Sequence, residues 1–174
     1  SERAISQALG GAVSPALAAD GHGRVSLTWL DLEAGIPRVR LLSFLYTSPF
    51  GTPYSLTGPS DLPSAPAIAI ARTGETSVAW ADRASGRDIL WFARLHPDSG
   101  LSPRLRLAPN TAASQPAVSI EYDSAGTLHS VWQSIGDGPA SLHYQRRSRF
   151  APPAPRDTGI DAAGDALQNP DITV

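Results

Sequence analysis

Pro66-Ala67-Ile68-Ala69-Ile70, a turn with Gly74, then Thr76-Ser77-Val78-Ala79-Trp80: two short apolar runs hinged on a glycine. Runs of this kind suit a pleated, half-buried surface, so each reads as a β-strand. The unit recurs from Pro15 through Gly23 to Trp29 and from Pro116 through Gly126 to Trp132. The prolines are 51 and 50 residues apart, the tryptophans 51 and 52. Each Trp has a Gly six residues before it (Gly23, Gly74, Gly126) and another six after it (Gly35, Gly86, Gly138). These glycines bracket the Trp strand, where the backbone must turn and positive φ is expected. Proline heads the first strand, where its missing N–H costs least.

A period near fifty residues, with no helical pattern inside it, holds about four strands, the size of one β-propeller blade. The predicted fold is all-β: a β-propeller of four-stranded blades, about three of them complete, with parts of others at both ends. Blades occupy residues 14–63, 64–113 and 114–167, and residues 168–174 open a further one. Residues 1–13 are either the outer strand of a preceding blade or a frayed terminus. The chain has no Met and stops one strand into a new repeat, so an excerpt of a longer protein is expected.

Within the first repeat, residues 16–19, 25–29 and 38–44 are strands, 31–35 a turn, and 53–56 a weak fourth strand. In the second, residues 89–93 are apolar on both faces, as in a strand covered from both sides. Residues 96–100 then turn, and 104–107 alternate as an outer strand. The third repeat has a first turn two residues longer, with strands at 128–132 and 141–145. Its fourth strand falls at 150–155, where Pro152, Pro153 and Pro155 confine it to an edge. Residues 157–169 read as a linker.

Composition excludes several classes. The 174 residues suffice for one domain with a substantial core. With 15 Gly and 16 Pro the chain is rich in turns, yet its apolar residues are too regularly placed for disorder. A net charge of −2 gives no electrostatic reason to expect nucleic acid or an acidic membrane. Cysteine is absent, which removes disulfides, thiolate metal sites and a Cys nucleophile. No apolar run is long enough to span a bilayer, and no signal-peptide pattern occurs. All fourteen basic residues are Arg, and the Ala, Pro, Gly and Arg bias is that of a GC-rich bacterial genome.

The order Pro-x-apolar, Gly turn, strand ending in Trp-x-Asp, Gly, apolar strand resembles the repeats of sialidase-like β-propellers. Trp29-Leu30-Asp31 and Trp80-Ala81-Asp82 match the Trp-x-Asp element, and Trp132-Gln133-Ser134 departs from it. The resemblance covers residues 14–174 and implies the fold, while propellers host many unrelated functions. The Ser-x-Asp-x-Gly-aromatic box of true sialidases occurs in no repeat. Gly35-Ile36-Pro37-Arg38 carries the residue types of their Arg-Ile-Pro element in another order. No sialidase catalytic residue is therefore carried over.

The remaining constellations read as structure before chemistry. Asp31 and Asp82 share an offset from Trp, but calcium takes six to eight oxygens, so a turn-forming role is expected. Glu121 and Tyr122 are the residue types of a sialidase pair, yet neighbours on a strand point to opposite faces. His129 and His143, on adjacent strands, would face each other, with no third ligand for zinc. His22 and His96 lie in turns and are expected to be solvated. Arg146, Arg147 and Arg149, beside Phe150, form the one basic cluster. With Trp91 these three are the candidate ligand contacts, and Trp91 and Phe92 otherwise read as core. No phosphate loop or Ser-nucleophile motif appears.

The expected function is a non-catalytic binding or scaffold module of a secreted, periplasmic or cell-surface bacterial protein, acting through loops at the blade ends. No catalytic residue, metal or cofactor is assigned. The expected partners are a protein or the remaining blades, and carbohydrate. The alternatives are a fragment of a sialidase-like glycoside hydrolase with catalytic residues on other blades, and a structural subunit of a larger assembly.

Overall fold

A computed structural model describes residues 4–5, 11–84, 87–107, 117–134, 141–148, 158–160 and 171–173. These residues form three antiparallel sheets and no helix, so no helix is long and apolar enough to cross a membrane. The first sheet runs in the order β1 (Ala12–Ala19), β2 (Arg24–Glu33), β3 (Ile36–Leu45), β4 (Tyr54–Ser55). The second runs β5 (Ala67–Ile70), β6 (Thr76–Ala84), β7 (Arg87–His96), with two short strands, β8 (Gly100–Leu101) and β9 (Leu105–Arg106), on β7. The third runs β10 (Val118–Tyr122), β11 (Leu128–Ser134), β12 (Ser141–Arg147), β13 (Thr158–Ile160). The first and third sheets are simple meanders, and the second departs from one only in that β8 and β9 both pair with β7.

The three tryptophans hold one register. Trp29 lies opposite Arg40, Trp80 opposite Trp91 and Trp132 opposite His143, each partner eleven residues on. Their exposures are 6%, 0% and 1%. Period-2 alternation explains what covers them. Val78 and Trp80 point from β6 toward the first sheet and pack on Leu30, Val39 and Leu41. Their neighbours Ala79 and Ala81 point the other way and, with Leu90 and Phe92, floor Trp132 of the third sheet. The large indole meets small alanines, so the two faces close without a gap. Near β5 the first strands gather: β5 packs against β1 on one side and β10 on the other.

The turns between the first two strands of each sheet, called the inner turns, are alike. Residues 20–24, 71–75 and 123–127 each separate a paired end, Ala19 from Val25, Ile70 from Thr76, Tyr122 from Leu128. Gly23, Gly74 and Gly126 stand at the same step with φ of 97°, 80° and 78°, in the region that L side chains avoid. The third turn is thus no longer than the others, contrary to the sequence expectation. Pro116 lies outside the described residues.

Other expectations change as well. Asp31 lies inside β2, and the turn is made by Ala34 and Gly35, at φ of 51° and 79°. Strand β1 begins before Pro15 and absorbs it through a bulge between Val13 and Ala16, with Ser14 at φ 52°. The alternating strand expected at 104–107 shrinks to β9, with Leu105 exposed and Leu107 buried. Among the described residues the fourth strand of the third sheet is β13, inside the expected linker, where Thr158-Gly159-Ile160 has the backbone N–H groups that pairing uses. Gly86, Gly138, Arg149 and Phe150, and the strand expected at 150–155, lie outside the described residues.

Trp80→Ala should cost about 3–5 kcal/mol, the range for emptying a buried aromatic site, read as a shift of the urea midpoint. A loss under about 1 kcal/mol would contradict this account of the packing.

Candidate functional site: the inner-turn end of the sheets

Three of the four histidines and a set of arginines and acids collect at the end where the inner turns lie. The cause is register: the starts of β2, β6 and β11 pair with the ends of β3, β7 and β12, so Arg94, His96, Arg146 and Arg147 arrive beside the turns.

In the third sheet the turn carries a chain of hydrogen bonds. Asp123 Oδ1 accepts the Thr127 N–H at 2.7 Å, and Oδ2 lies 3.0 Å from His129 Nε2. His129 Nδ1 lies 2.6 Å from the Tyr144 hydroxyl. An ionised carboxylate only accepts, so Nε2 carries the proton toward Asp123, and in the neutral ring Nδ1 accepts from Tyr144. The bond from His129, followed by the Thr127 N–H, holds the Asp123 carboxyl below its ordinary value. Asp20 caps the first turn in the same way, accepting the N–H groups of His22 and Arg24 at 2.7 and 3.0 Å. Asp20 and Asp123 both stand three residues before a turn glycine, a spacing that is visible in the sequence.

Between the second and third sheets lies a buried polar cluster. Tyr122 donates to Glu75 Oε1 at 2.8 Å, and its oxygen is 2.7 Å from Ser77 Oγ. Arg94 Nη1 stands 3.5 Å from the same Glu75 oxygen. Burial pushes the Tyr122 hydroxyl well above its ordinary value, Ser77 opposes that shift and the Glu75 charge adds to it. Through these bonds the cluster ties the second and third sheets together. Arg147 reaches across the same seam, its Nη2 3.2 Å from the Arg106 carbonyl, with its guanidinium 5.7 Å from the Phe92 ring centre. Burial and the nearby Arg94 charge lower its pKa. Between the first and second sheets Ser26 and Thr76 hydroxyls meet at 2.8 Å. The cleft beside them, lined by Arg24, Tyr54 and His96 among others, is about 120 Å³. A small-molecule pocket usually measures ~300–1,000 Å³.

The expected ligand contacts are not brought together. Trp91 is half-buried, and Arg104 covers its ring with the guanidinium 4.4 Å from the centre. Arg147 touches Phe92, which points to the other face of β7. Arg146 is exposed and stands opposite His129. His143 pairs with Trp132, on the face opposite His129, and stacks on that indole at 5.4 Å. The two histidines therefore do not face each other; their spacing puts them at opposite parity across the pair. His96 ends β7 and accepts the Asp98 N–H. Glu121 and Tyr122 do point apart; Tyr122 finds Glu75 instead, an encounter across sheets with no sequence signal.

The two Trp-x-Asp carboxylates diverge and lie at the other end of the sheets. Asp31 pairs with Arg40 at 3.4 Å. Asp82 is 1% exposed and accepts the Leu62 N–H at 2.7 Å. Burial raises its pKa, and the charge of Asp61 adds to the rise. Burial also works to raise Asp61, but Arg104 and the Gly58 N–H outweigh it and hold that carboxyl low. Both Trp-x-Asp residues thus sit in strands and fasten neighbouring segments, not turns. Among the described residues no group of three or more His, Cys, Asp or Glu is placed to hold a metal ion. No family model matches the chain, and no curated protein matches it.

Because the folded pKa of Asp123 lies below its unfolded value, the folded state holds fewer protons between the two. The contribution to stability is present above the unfolded value and is lost as pH falls through the depressed one. Asp123→Asn keeps an acceptor for Thr127 but removes the charge. Its melting temperature should fall less steeply than that of the parent from about pH 5 to about pH 2. Parallel curves would show that Asp123 contributes nothing to the acid response.

Proposed function

We propose that the three sheets are successive β-propeller blades of the sialidase-like type, forming a non-catalytic binding or scaffold module of a secreted or surface-exposed bacterial protein. Its ligand, a protein or a carbohydrate, binds across the inner-turn end. The observation that carries this reading is the placing of Asp20, His22, Arg94, His96 and Arg146 at one end of the three packed sheets. The order of strands supports blades: each meander begins at an inner strand, and β5 sits between β1 and β10. The polar chain at Asp123 and the Tyr122–Glu75 seam make the turns rigid, which lowers the ordering cost of binding at their tips.

The test is a screen of the chain against arrayed oligosaccharides and bacterial envelope proteins. Binding should fall at least about tenfold, roughly 1.4 kcal/mol, in the double variant His22→Ala/Arg146→Ala. Glu33→Ala, exposed at the opposite end, should leave binding unchanged. Binding lost in Glu33→Ala and kept in the double variant would place the site at the wrong end and sink the reading.

One observation favours the second reading, a fragment of a sialidase-like glycoside hydrolase: a Tyr hydroxyl, Tyr122, rests on a carboxylate, Glu75, beside Arg94. The raised Tyr122 pKa weighs against it. The chain should not turn over chromogenic glycosides. Turnover that disappears in Tyr122→Phe would establish the enzyme instead.

A further inference from the structure

Register lets the seams between sheets be compared position by position. Arg24, Glu75 and Thr127 each follow the turn glycine, and Ser43, Arg94 and Arg146 each stand opposite the third residue after it. On the second sheet these two positions hold an acid and a base that meet: Glu75 Oε1 lies 3.5 Å from Arg94 Nη1. On the first sheet they hold a base and a hydroxyl, Arg24 and Ser43. That seam therefore carries a cation without the matching acid. Asp20 accepts the backbone N–H of Arg24, and the guanidinium has no ion pair among the described residues.

Arg24 is nonetheless held in place. Half-buried, it crosses the seam onto the second inner turn, where a Cβ on Gly74 would stand 3.0 Å from Arg24 Nε and 3.3 Å from Pro97. The cleft of about 120 Å³ opens there, with Ser43, Tyr54, His96 and Gly100 also on its walls. It admits one small group and not a whole ligand. No acid lines it; Asp98, 3.9 Å from His96, is 90% exposed.

Hydroxyls of the seam are ordered toward the same cleft. Ser26 Oγ donates to Ser43 Oγ at 2.9 Å, and Thr76 Oγ1 lies 2.8 Å from Ser26 Oγ. A serine has one hydroxyl proton, so Thr76 donates to Ser26 and Ser43 keeps its own proton for the cleft. Ser26 and Thr76 are fully buried, and such a chain polarises its last donor. Arg24, Ser43 and Tyr54 thus offer donors from three strands around one space with no negative charge. A planar carboxylate is satisfied by a guanidinium fork alone, whereas donors from three strands suit oxygens that diverge.

We propose that the cleft between the first and second sheets binds a tetrahedral oxyanion, phosphate or sulfate, through Arg24 with Ser43 and Tyr54 as further donors. This rests on the reading of the inner-turn end as a binding surface and names the group that this end takes.

Titration of the chain with inorganic phosphate, followed by the amide resonances of Gly74 and Gly100, tests the proposal. Both should shift and saturate with a Kd of about 1 mM or tighter. Arg24→Gln should weaken binding at least about tenfold, and Tyr54→Phe about threefold, the share of one neutral hydrogen bond. Arg106→Gln, which removes an exposed cation outside the cleft, should bind like the parent. Inorganic sulfate should compete with phosphate, and acetate should compete at least about tenfold less well. Shifts that do not saturate, binding indifferent to Arg24→Gln, equal losses in Arg24→Gln and Arg106→Gln, or acetate equal to phosphate each overturn the site. If Arg24→Gln unfolds, Ser43→Ala and the exposed Tyr54→Phe decide on the same readout. Glucose 6-phosphate and glucose 6-sulfate, against glucose, distinguish the sources. Binding of the esters supports a site for a group borne on a ligand, and their exclusion beside bound phosphate supports one for the free anion. A screened ligand held equally by the parent and Arg24→Gln, with no phosphate bound, overturns the oxyanion site and leaves the surface standing. Phosphate held through Arg24 by a chain that retains no screened ligand supports the site and counts against the surface.

Discussion

A β-sheet in water has two faces, and in this chain both faces of the middle sheet are apolar. Everything else follows from covering them. Val78 and Trp80 on one side of β6, Ala79 and Ala81 on the other, require a neighbour on each side. The first and third sheets supply it through Leu30, Val39 and Leu41 and through Leu128 and Trp132. Sheets that twist in the same sense pack best when aligned, so a repeated sheet generates a series.

That series places the polar groups. Once the apolar rows fix which faces touch, hydroxyls and acids at the strand ends are carried into the seams and must find partners there. Ser26 meets Thr76, and Tyr122 meets Ser77 and Glu75, each across a seam. The Asp82 carboxyl, held in β6 by its register, has its pKa raised by burial and by the Asp61 charge, and it fastens the linker at Leu62. The end that carries the inner turns also bears Asp20, His22 and Arg146, which gives recognition material to work with.

The repeat was legible because its chemistry is local. Proline, glycine and tryptophan at fixed offsets specify a strand start, a positive-φ turn and a buried anchor, and the turn glycines take the φ values that spacing implied. Local reading failed where length alone cannot place a residue. The third turn was expected to be two residues longer, whereas its paired ends stand as far apart in the chain as those of the other two. Residues 157–169 were expected to be a linker, and residues 158–160 within them pair with β12 as a strand. The candidate site was legible only in part. Arg146 and the turn acids lie where hairpin geometry puts them, but Trp91 proved to be capped by Arg104, from a segment thirteen residues away.

The sequence by itself determined the strand units, their hairpin turns and the three equivalent tryptophans, because alternation and turn propensity act over a few residues. Tertiary structure alone decided which face each Trp shows to which sheet, that Tyr122 meets Glu75, and that Leu17 is left bare while Ile68 and Ile120 are covered. Those contacts depend on register between strands and on the stacking of whole sheets. Side chains about fifty residues apart in the chain meet only after the apolar rows have closed.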